Sequence, residues 1–369
     1  MKLLILADQL IAGGLETHIV SQVNELLRRG YEIRLAAAAI SPEVQEQLMI
    51  GDDRFHPIVW DAKTDMDAVL RAFDPDIVHA HPFSAIIKGA ELVSRYPKPF
   101  IVTVHGSYDF GLDRSPTGYL TSSRVDRILA VDQRVSRQLL RSAAHPEKVS
   151  VIPNGIDMTA FAPASAGSSS VRRERLGLAP DVFTLVTVCR LADGKQHTVL
   201  QLIRCAVRLA QRLGGLNLVI VGGGAYGDYV RVKARETMNQ YQGNDLQLFL
   251  AGHSQDVREY IRAADLVLAC GRAAMEAMAC GTAVFGMRDG FAGVISETTH
   301  DVILGSVSGF RAFSDEELLR ELERVARDIE GRAQLAAAGR RIITRYYDLQ
   351  VCTDQLERIY AQYSRGGRL

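Results

Sequence analysis

Three things are scarce in this chain, and each absence excludes something. Net charge is absent: 43 Lys and Arg balance 43 Asp and Glu over 369 residues. That rules out a broad basic surface for nucleic acid and leaves only local patches. Cysteine is scarce, with five residues at 189, 205, 270, 280 and 352. None forms a CxxC or a ligand spacing with His. The odd count inside apolar runs points to reduced core thiols in a reducing compartment, with no zinc site. Long apolar runs are missing too, since no stretch approaches the ~18–20 residues of a membrane span. The apolar start is cut short by Asp8, so it reads as a buried strand and not as a signal peptide. The expectation is a cytoplasmic protein, soluble or peripheral at the inner face of a membrane.

What is present is alternation. A chain of this length exceeds the ~250–300 residues at which single cores stop growing, so two domains are expected. Short apolar runs at 2–6, 32–38, 77–80, 100–104, 128–131 and 149–152 read as strands, with a helix over 17–29. The stretch 162–170, rich in Ala and Ser, has linker composition. The pattern then restarts, with strands at 183–188, 216–221, 246–250 and 266–269. Ser314 followed by Glu317 has capping-box spacing and opens a helix through about 329, and a last helix runs from about 348 to 363, before a polar tail expected to fray. The fold class is therefore α/β: two Rossmann-like, doubly wound domains at 1–163 and 171–345, joined by a linker at 164–170. Such sheets bind ligands outside the carboxyl ends of their strands, which puts a cleft between the two domains.

Two segments carry the chemistry. Cys189-Arg190-Leu191-Ala192-Asp193-Gly194-Lys195 follows an apolar strand and places two cations at a strand-to-loop junction. Arg holds phosphate oxygens bidentately and Lys acts as a point charge; the plainer alternative is two solvated loop cations. Gly271-Arg272-Ala273-Ala274-Met275-Glu276-Ala277-Met278-Ala279-Cys280-Gly281 carries one acid on an otherwise apolar helix. A buried carboxylate must be paired or hydrogen-bonded. Glu276 is thus either a structural partner of Arg272, one turn earlier, or an acceptor for a ligand's hydroxyls. An anionic ligand with hydroxyls, such as a nucleoside diphosphate sugar, suits the set.

Other motifs are weaker. Gly222-Gly223-Gly224-Ala225-Tyr226-Gly227 contains GxGxxG, which raises a dinucleotide-dependent oxidoreductase. It follows the second strand of its domain, however, and the next strand ends without the acid a ribose would need. The glycines, Gly223 among them, still suit close backbone approach to phosphate or ribose. Gly13-Gly14 lies between the first strand and helix, either as a simple turn or as an anion-binding loop. His105 ends a strand on the side facing the expected cleft. His79 and His81 flank the end of another strand and read as satisfied core histidines.

In this order the residues resemble the GT-B glycosyltransferases, specifically the large retaining family 4 group. Gly13-Gly14-Leu15-Glu16 resembles that family's N-terminal glycine loop. Pro75-Asp76-Ile77-Val78-His79-Ala80-His81 resembles its PDxVHxH strand, and Thr103-Val104-His105-Gly106 its TxHG segment. Ile152-Pro153-Asn154-Gly155-Ile156-Asp157 resembles its IPNGID lead into the hinge. Arg190-Leu191 with Lys195 resembles GRLxxxKG, and Glu276-Ala277-Met278-Ala279-Cys280-Gly281 resembles EAMACG. The resemblance implies a glycosyltransferase that moves a sugar from a UDP- or GDP-linked donor, with retention, to an acceptor in polysaccharide, glycolipid or glycosylated-metabolite biosynthesis. No cofactor and no metal are implied. Arg190 and Lys195 would hold the donor diphosphate and stabilise leaving-group charge, His105 would assist transfer near the donor sugar, Glu276 would accept from the ribose, and Gly14 would contact phosphate or acceptor. The helix over 346–369 would cross back onto the N-terminal domain. The acceptor class, glycan, lipid-linked or small molecule, follows from family habit alone.

One departure stands out. The family's acid eight residues before the ribose-binding Glu is here Leu268. Arg272 is the candidate to meet phosphate or a carboxylated sugar in its place. The amides of Gly290, Phe291 and Ala292 replace the usual glycine-rich donor loop. The missing acid motivates one rival reading, a nucleotide-sugar-binding protein without transfer activity; a second rival, a nucleotide-sugar 2-epimerase, shares the two-domain architecture. Arg124, Arg127, Arg134, Arg137 and Arg141 form either a solvated helix face or a lipid-facing patch.

Overall fold

The computed structural model describes every residue except Ala12, Ile50, Ala62, Ser107, Ala166, Gln255, 306–308 and 365–369. Of the polar tail of the sequence reading, Ser364 ends the helix Leu349–Ser364 and the rest lies outside the described residues. The chain divides into two compact units, Met1–Asp157 with the chain from Tyr346 onward, and Met158–Arg345.

The first unit is built on seven parallel strands: β1 (Lys2–Leu10), β2 (Glu32–Ile40), β3 (Phe55–Val59), β4 (Ile77–Ala80), β5 (Phe100–Val104), β6 (Arg127–Ala130) and β7 (Val149–Val151), in the order β3-β2-β1-β4-β5-β6-β7. These strands are near-continuous apolar runs because both faces of a parallel sheet are covered. Successive side chains of β1 go to opposite faces. Leu4 and Leu6 join one core with Val78, Phe100 and Ile128. Leu3 and Ile5 join the other with Ile19, Val23 and Leu26 of the helix Gly14–Arg28 and with Leu356 and Tyr360 of the helix Leu349–Ser364.

That last helix belongs to the first unit for stated reasons. Arg29 donates to Asp354 and Glu357, each at 2.6 Å. Leu349 N–H donates to Ile156 O at 2.9 Å, and Ile156 N–H to Tyr347 O at 2.7 Å.

The second unit has β8 (Phe183–Val188), β9 (Leu216–Val221), β10 (Leu246–Gly252), β11 (Leu266–Ala269), β12 (Ala283–Met287) and β13 (Phe291–Val294), in the order β10-β9-β8-β11-β12-β13, with only the β12–β13 pair antiparallel. The change of unit falls at Met158, earlier than composition suggests. Arg262 donates to the carbonyls of Ala160 and Ala162, so these residues pack with the second unit. The linker-like stretch also runs into a helix, Ser168–Arg175. Arg173 holds that helix in place, donating to Ala263 O and to the Asp265 carboxylate, each at 2.8 Å. Among the described residues no helix is long and apolar enough to cross a membrane.

Each sheet has a point where strand order reverses, between β1 and β4 in the first unit and between β8 and β11 in the second. Open parallel sheets place ligands at the carboxyl ends of strands at such points, and Gly14, Arg190, Lys195, Arg272 and Glu276 lie on the segments that follow β1, β8 and β11.

Candidate functional site

In the second unit β8 runs through a short loop into the helix Lys195–Leu213. Gly194 precedes that helix at φ 82°, a left-handed conformation that favours glycine. The helix has no capping side chain and no acid in its first turn. Lys195 N–H donates to Ala192 O at 3.2 Å, and the helix dipole makes this end positive. Lys195 adds a cation where the dipole disfavours one. Arg190, exposed on the loop, adds a second. Among the described residues neither has a carboxylate within ion-pair distance. β11, the strand beside β8, leads into the helix Gly271–Ala279, which likewise has no capping side chain and no acid in its first turn.

Lys195 is close enough to the thiols of Cys189 and Cys270 to oppose the effect of burial, which pushes Cys189 up to about 11 and raises Cys270 as well. Both are held as neutral thiols beside that cation.

The glycine run after β9 has a structural reason. Gly222 sits at φ 144°, and a Cβ there would lie 1.8 Å from Cys189 O; at Gly224, φ 141°, it would lie 2.5 Å from Leu191 O. The loop after β9 therefore lies backbone against backbone on the loop carrying Arg190, tied by Leu191 N–H to Gly223 O at 2.8 Å. Together with Gly252 and His253 these glycines line a cavity of about 190 Å3. The glycines read from the sequence as ligand contacts are first of all chain contacts.

Glu276 is 7% exposed, and its Oε1 accepts from Arg272 Nε at 2.8 Å. Burial raises its pKa, with Arg272 opposing. The structural pairing weighed in the sequence is thus present. Arg272 is correspondingly not a free cation for phosphate or a carboxylated sugar. Leu268 is fully buried in β11. The expected donor loop is a β-hairpin. Phe291 N–H donates to Arg311 O at 2.8 Å, and the Phe291 ring packs with Phe285 and Phe313 in the core. That corrects the expectation for Phe291, whose amide is engaged in the sheet edge and whose side chain faces away from solvent. Gly290 is needed because a Cβ would meet Arg311 O at 2.6 Å. Ala292 is half-buried on the hairpin's second strand.

In the first unit Gly14 opens the helix Gly14–Arg28, and a Cβ there would meet nothing within 4 Å. Among the described residues no packing demands a glycine at that position. His105 follows β5, with its N–H donating to Tyr108 Oη at 2.9 Å. Its Nε2 is 2.8 Å from His81 Nδ1. His79, on β4, is satisfied on both sides, by Tyr360 Oη at 2.6 Å and Thr103 Oγ1 at 2.7 Å. His81 stacks on it with ring centroids 4.6 Å apart. Burial holds His105 well below the usual histidine range and takes His81 to about 3. His81 is thus fully buried as the sequence suggested, but among the described residues its Nε2 has no hydrogen-bond partner. Its pairing with His105 was not foreseen; the one signal was that both end neighbouring strands.

Comparison with known proteins agrees with this geometry. Residues 12–160 match the model of Glycosyltransferase Family 4, and residues 170–342 that of Glycosyl transferases group 1. The chain belongs to the group 1 glycosyltransferases of the GT-B class: it is an enzyme that transfers a sugar from a nucleotide-sugar donor. A D-inositol 3-phosphate glycosyltransferase of Actinosynnema mirum is 28% identical over 343 residues, covering 77% of this chain and 80% of the relative. Among solved structures, a glycosyltransferase from Rickettsia africae ESF-5 superposes with a TM-score of 0.78 at 16% identity, over 99% of both chains. Anabaena Alr3699/HepE in complex with UDP-glucose gives 0.72 at 18% identity, over 98% of this chain and 100% of that one.

Proposed function

We propose that the donor's diphosphate is held at the amino-terminal end of the helix Lys195–Leu213 by Arg190 and Lys195, and that transfer proceeds with retention and without a metal. The observation that carries this reading is that helix end itself: no side-chain cap, no acid in its first turn, and two cations beside it that have no carboxylate partner among the described residues. A diphosphate satisfies all of these at once. As the bond to the sugar breaks, charge builds on the leaving diphosphate, and each preorganised donor contributes ~2.7–4 kcal/mol there, by analogy with a lost oxyanion donor.

The cavity of about 190 Å3 beside it, walled by the backbone of Gly222, Gly223 and Gly252, takes the nucleoside base. Glu276 accepts from the ribose hydroxyls, with Arg272 holding its carboxylate in place. On the first unit, His105 assists transfer and Gly14 contacts phosphate or acceptor. The base is uracil or guanine, and the Anabaena neighbour solved with UDP-glucose favours uracil. The acceptor is a hydroxyl of a polysaccharide, a glycolipid or a metabolite. The relatives named for D-inositol 3-phosphate favour a small polyhydroxylated metabolite.

The test is thermal stability against a panel of nucleoside diphosphates and their sugars, since a ligand of the folded state raises the melting temperature. A rise with UDP or GDP that is lost in Lys195→Ala supports the reading and names the base. No rise with any nucleoside diphosphate overturns it. The anomeric configuration of the product, read by NMR, decides retention.

A further inference from the structure

We propose that Cys189 and Cys270 are a modification site: a low-molecular-mass disulfide such as oxidised glutathione closes them into a reversible protein disulfide, and closure weakens the hold on the donor diphosphate. The second half rests on the proposal that the diphosphate sits beside Lys195; the first half does not.

The sheet brings the two residues together. β8 and β11 are neighbouring parallel strands in which Thr187 pairs with Leu268. Side chains alternate along a strand, so the residues two further on share one face. Those residues are Cys189 and Cys270. Both continue their strands: Cys189 N–H donates to Val221 O at 3.1 Å, and Cys270 keeps an extended backbone. Neighbouring strands lie ~4.8 Å apart, within the ~4.4–6.8 Å that a disulfide spans between Cα atoms. Thr187 marks where the first sulfur lies. Its Oγ1 donates to Leu268 O of β11 at 2.9 Å and is 4.0 Å from Cys189 Sγ. Each cysteine stands just past the last residue of its strand, so the remaining approach breaks no β8–β11 pairing.

Access and charge select this pair among the five cysteines. Cys205, Cys280 and Cys352 are buried, whereas solvent reaches Cys189 and Cys270 in part. Lys195 acts on both thiols and Arg288 on Cys270, each favouring the thiolate against the effect of burial. Cys270 also precedes the helix Gly271–Ala279, whose positive end favours a thiolate. The first attack is therefore assigned to Cys270. Its thiolate attacks one sulfur of oxidised glutathione, forms a mixed disulfide and releases one glutathione thiolate. Cys189 then attacks the Cys270 sulfur and releases the second. Two protein thiols are oxidised, one glutathione disulfide is reduced to two thiols, and both protons end on glutathione. Burial keeps the pair mostly neutral near neutral pH, so closure quickens as pH rises.

Closure reaches the donor site through both neighbours. Cys189 directly precedes Arg190, and Cys270 directly precedes the helix that carries Arg272 and Glu276. Drawing the cysteines together displaces both segments. By reciprocity, a disulfide that weakens donor binding is itself opposed by bound donor.

The full-length protein, first reduced, is incubated with oxidised glutathione, with and without UDP or GDP, then alkylated and mapped by mass spectrometry. The expected product is a peptide pair joined through Cys189 and Cys270, lost on reduction and formed more slowly with the nucleoside diphosphate that binds. No joined pair, or a pair through other cysteines, overturns the site. Affinity of the closed protein for that nucleoside diphosphate is expected to fall at least about 10-fold and to recover on reduction; unchanged affinity overturns the coupling. Cys189→Ser is expected to stop at a glutathione adduct on Cys270. Cys270→Ser is expected to transfer sugar within a few-fold of wild type and to keep its donor affinity in oxidised glutathione; loss of affinity there overturns the role of the pair. Where a variant does not fold, closure and recovery of the wild type decide. The peptide map needs no donor, whereas nucleoside diphosphate binding by the reduced protein tests the functional reading, so failure of one is distinguishable from failure of the other.

Discussion

Arg272 and Glu276 form an ion pair one helical turn apart, with side chains only 11% and 10% exposed. The carboxylate proposed for the ribose is thus also the counter-ion of a buried guanidinium. Removing one partner of such a pair leaves an uncompensated charge, a loss of ~3–5 kcal/mol, whereas replacing both with apolar groups of similar size is often neutral. Glu276→Ala is expected to unfold at clearly lower denaturant, and the double variant Arg272→Met/Glu276→Met to recover most of that loss. Glu276→Gln retains an acceptor for Arg272 and is the variant with which to measure donor affinity. Wild-type stability in Glu276→Ala would show that the pair is not needed for folding.

Lys195 sits on the wrong end of a helix dipole and has no anionic partner among the described residues. Lys195→Ala is expected to leave the ligand-free protein as stable as wild type or more stable by ~0.3–1 kcal/mol, the size of an end-charge effect. The same change is expected to lower turnover by ~2.7–4 kcal/mol of barrier, about 100- to 1000-fold. Thermal melts without ligand, paired with turnover, check both halves. Destabilisation without ligand would mean that Lys195 serves the fold.

Much of the fold was legible because buried parallel strands are apolar on both faces, as at β1, β5 and β9. β3 was missed because Pro57 and the exposed His56 interrupt its pattern, which an edge strand pairing on one side tolerates. β12 and β13 were missed because the Gly286 and Gly293 positions weaken short strand patterns. Arg190 and Lys195 were legible as cations at a strand-to-helix junction. The reason for Gly222 and Gly224 was not, since it lies in the approach of another loop some thirty residues away in sequence. The His81–His105 contact joins neighbouring strands whose ring directions no local pattern records. Tyr360 reaches His79 across 281 residues, a contact only the family resemblance hinted at.

Two glycines separate chain packing from ligand contact. At Gly222, φ 144° and a Cβ 1.8 Å from Cys189 O leave alanine no place. Gly222→Ala is expected to cost more than the ~1–3 kcal/mol of backbone strain alone. At Gly14 nothing lies within 4 Å of a Cβ, and alanine in the first helical turn is expected to hold or raise stability by up to ~1 kcal/mol. If Gly14 faces ligand as proposed, Gly14→Ala lowers kcat/KM while the protein melts no earlier than wild type. Unchanged kcat/KM would remove Gly14 from the site.

The buried histidines set an acid limit on the first unit. Burial lowers the pKa of His79, His81 and His105 below the ordinary value of 6.5, to about 3 at His81. In the unfolded chain each returns to the ordinary value and takes up a proton that the folded chain refuses. The stability they protect is therefore complete above pH 6.5 and is lost as pH falls below it, at ~1.4 kcal/mol per histidine per pH unit until the folded value is reached. Ordinary carboxylates do not titrate between pH 7.5 and 5.5, so that window isolates the histidines. Trp60 is the single tryptophan of the chain and lies in the first unit, so its fluorescence follows this unit through a urea titration. The midpoint is expected to fall steeply from pH 7.5 to 5.5, and less steeply in His81→Asn, which has one fewer titrating ring. A midpoint that does not move across the window would mean that the three rings take up protons in the folded state, and that the neutral His81–His105 pair does not persist below pH 6.5.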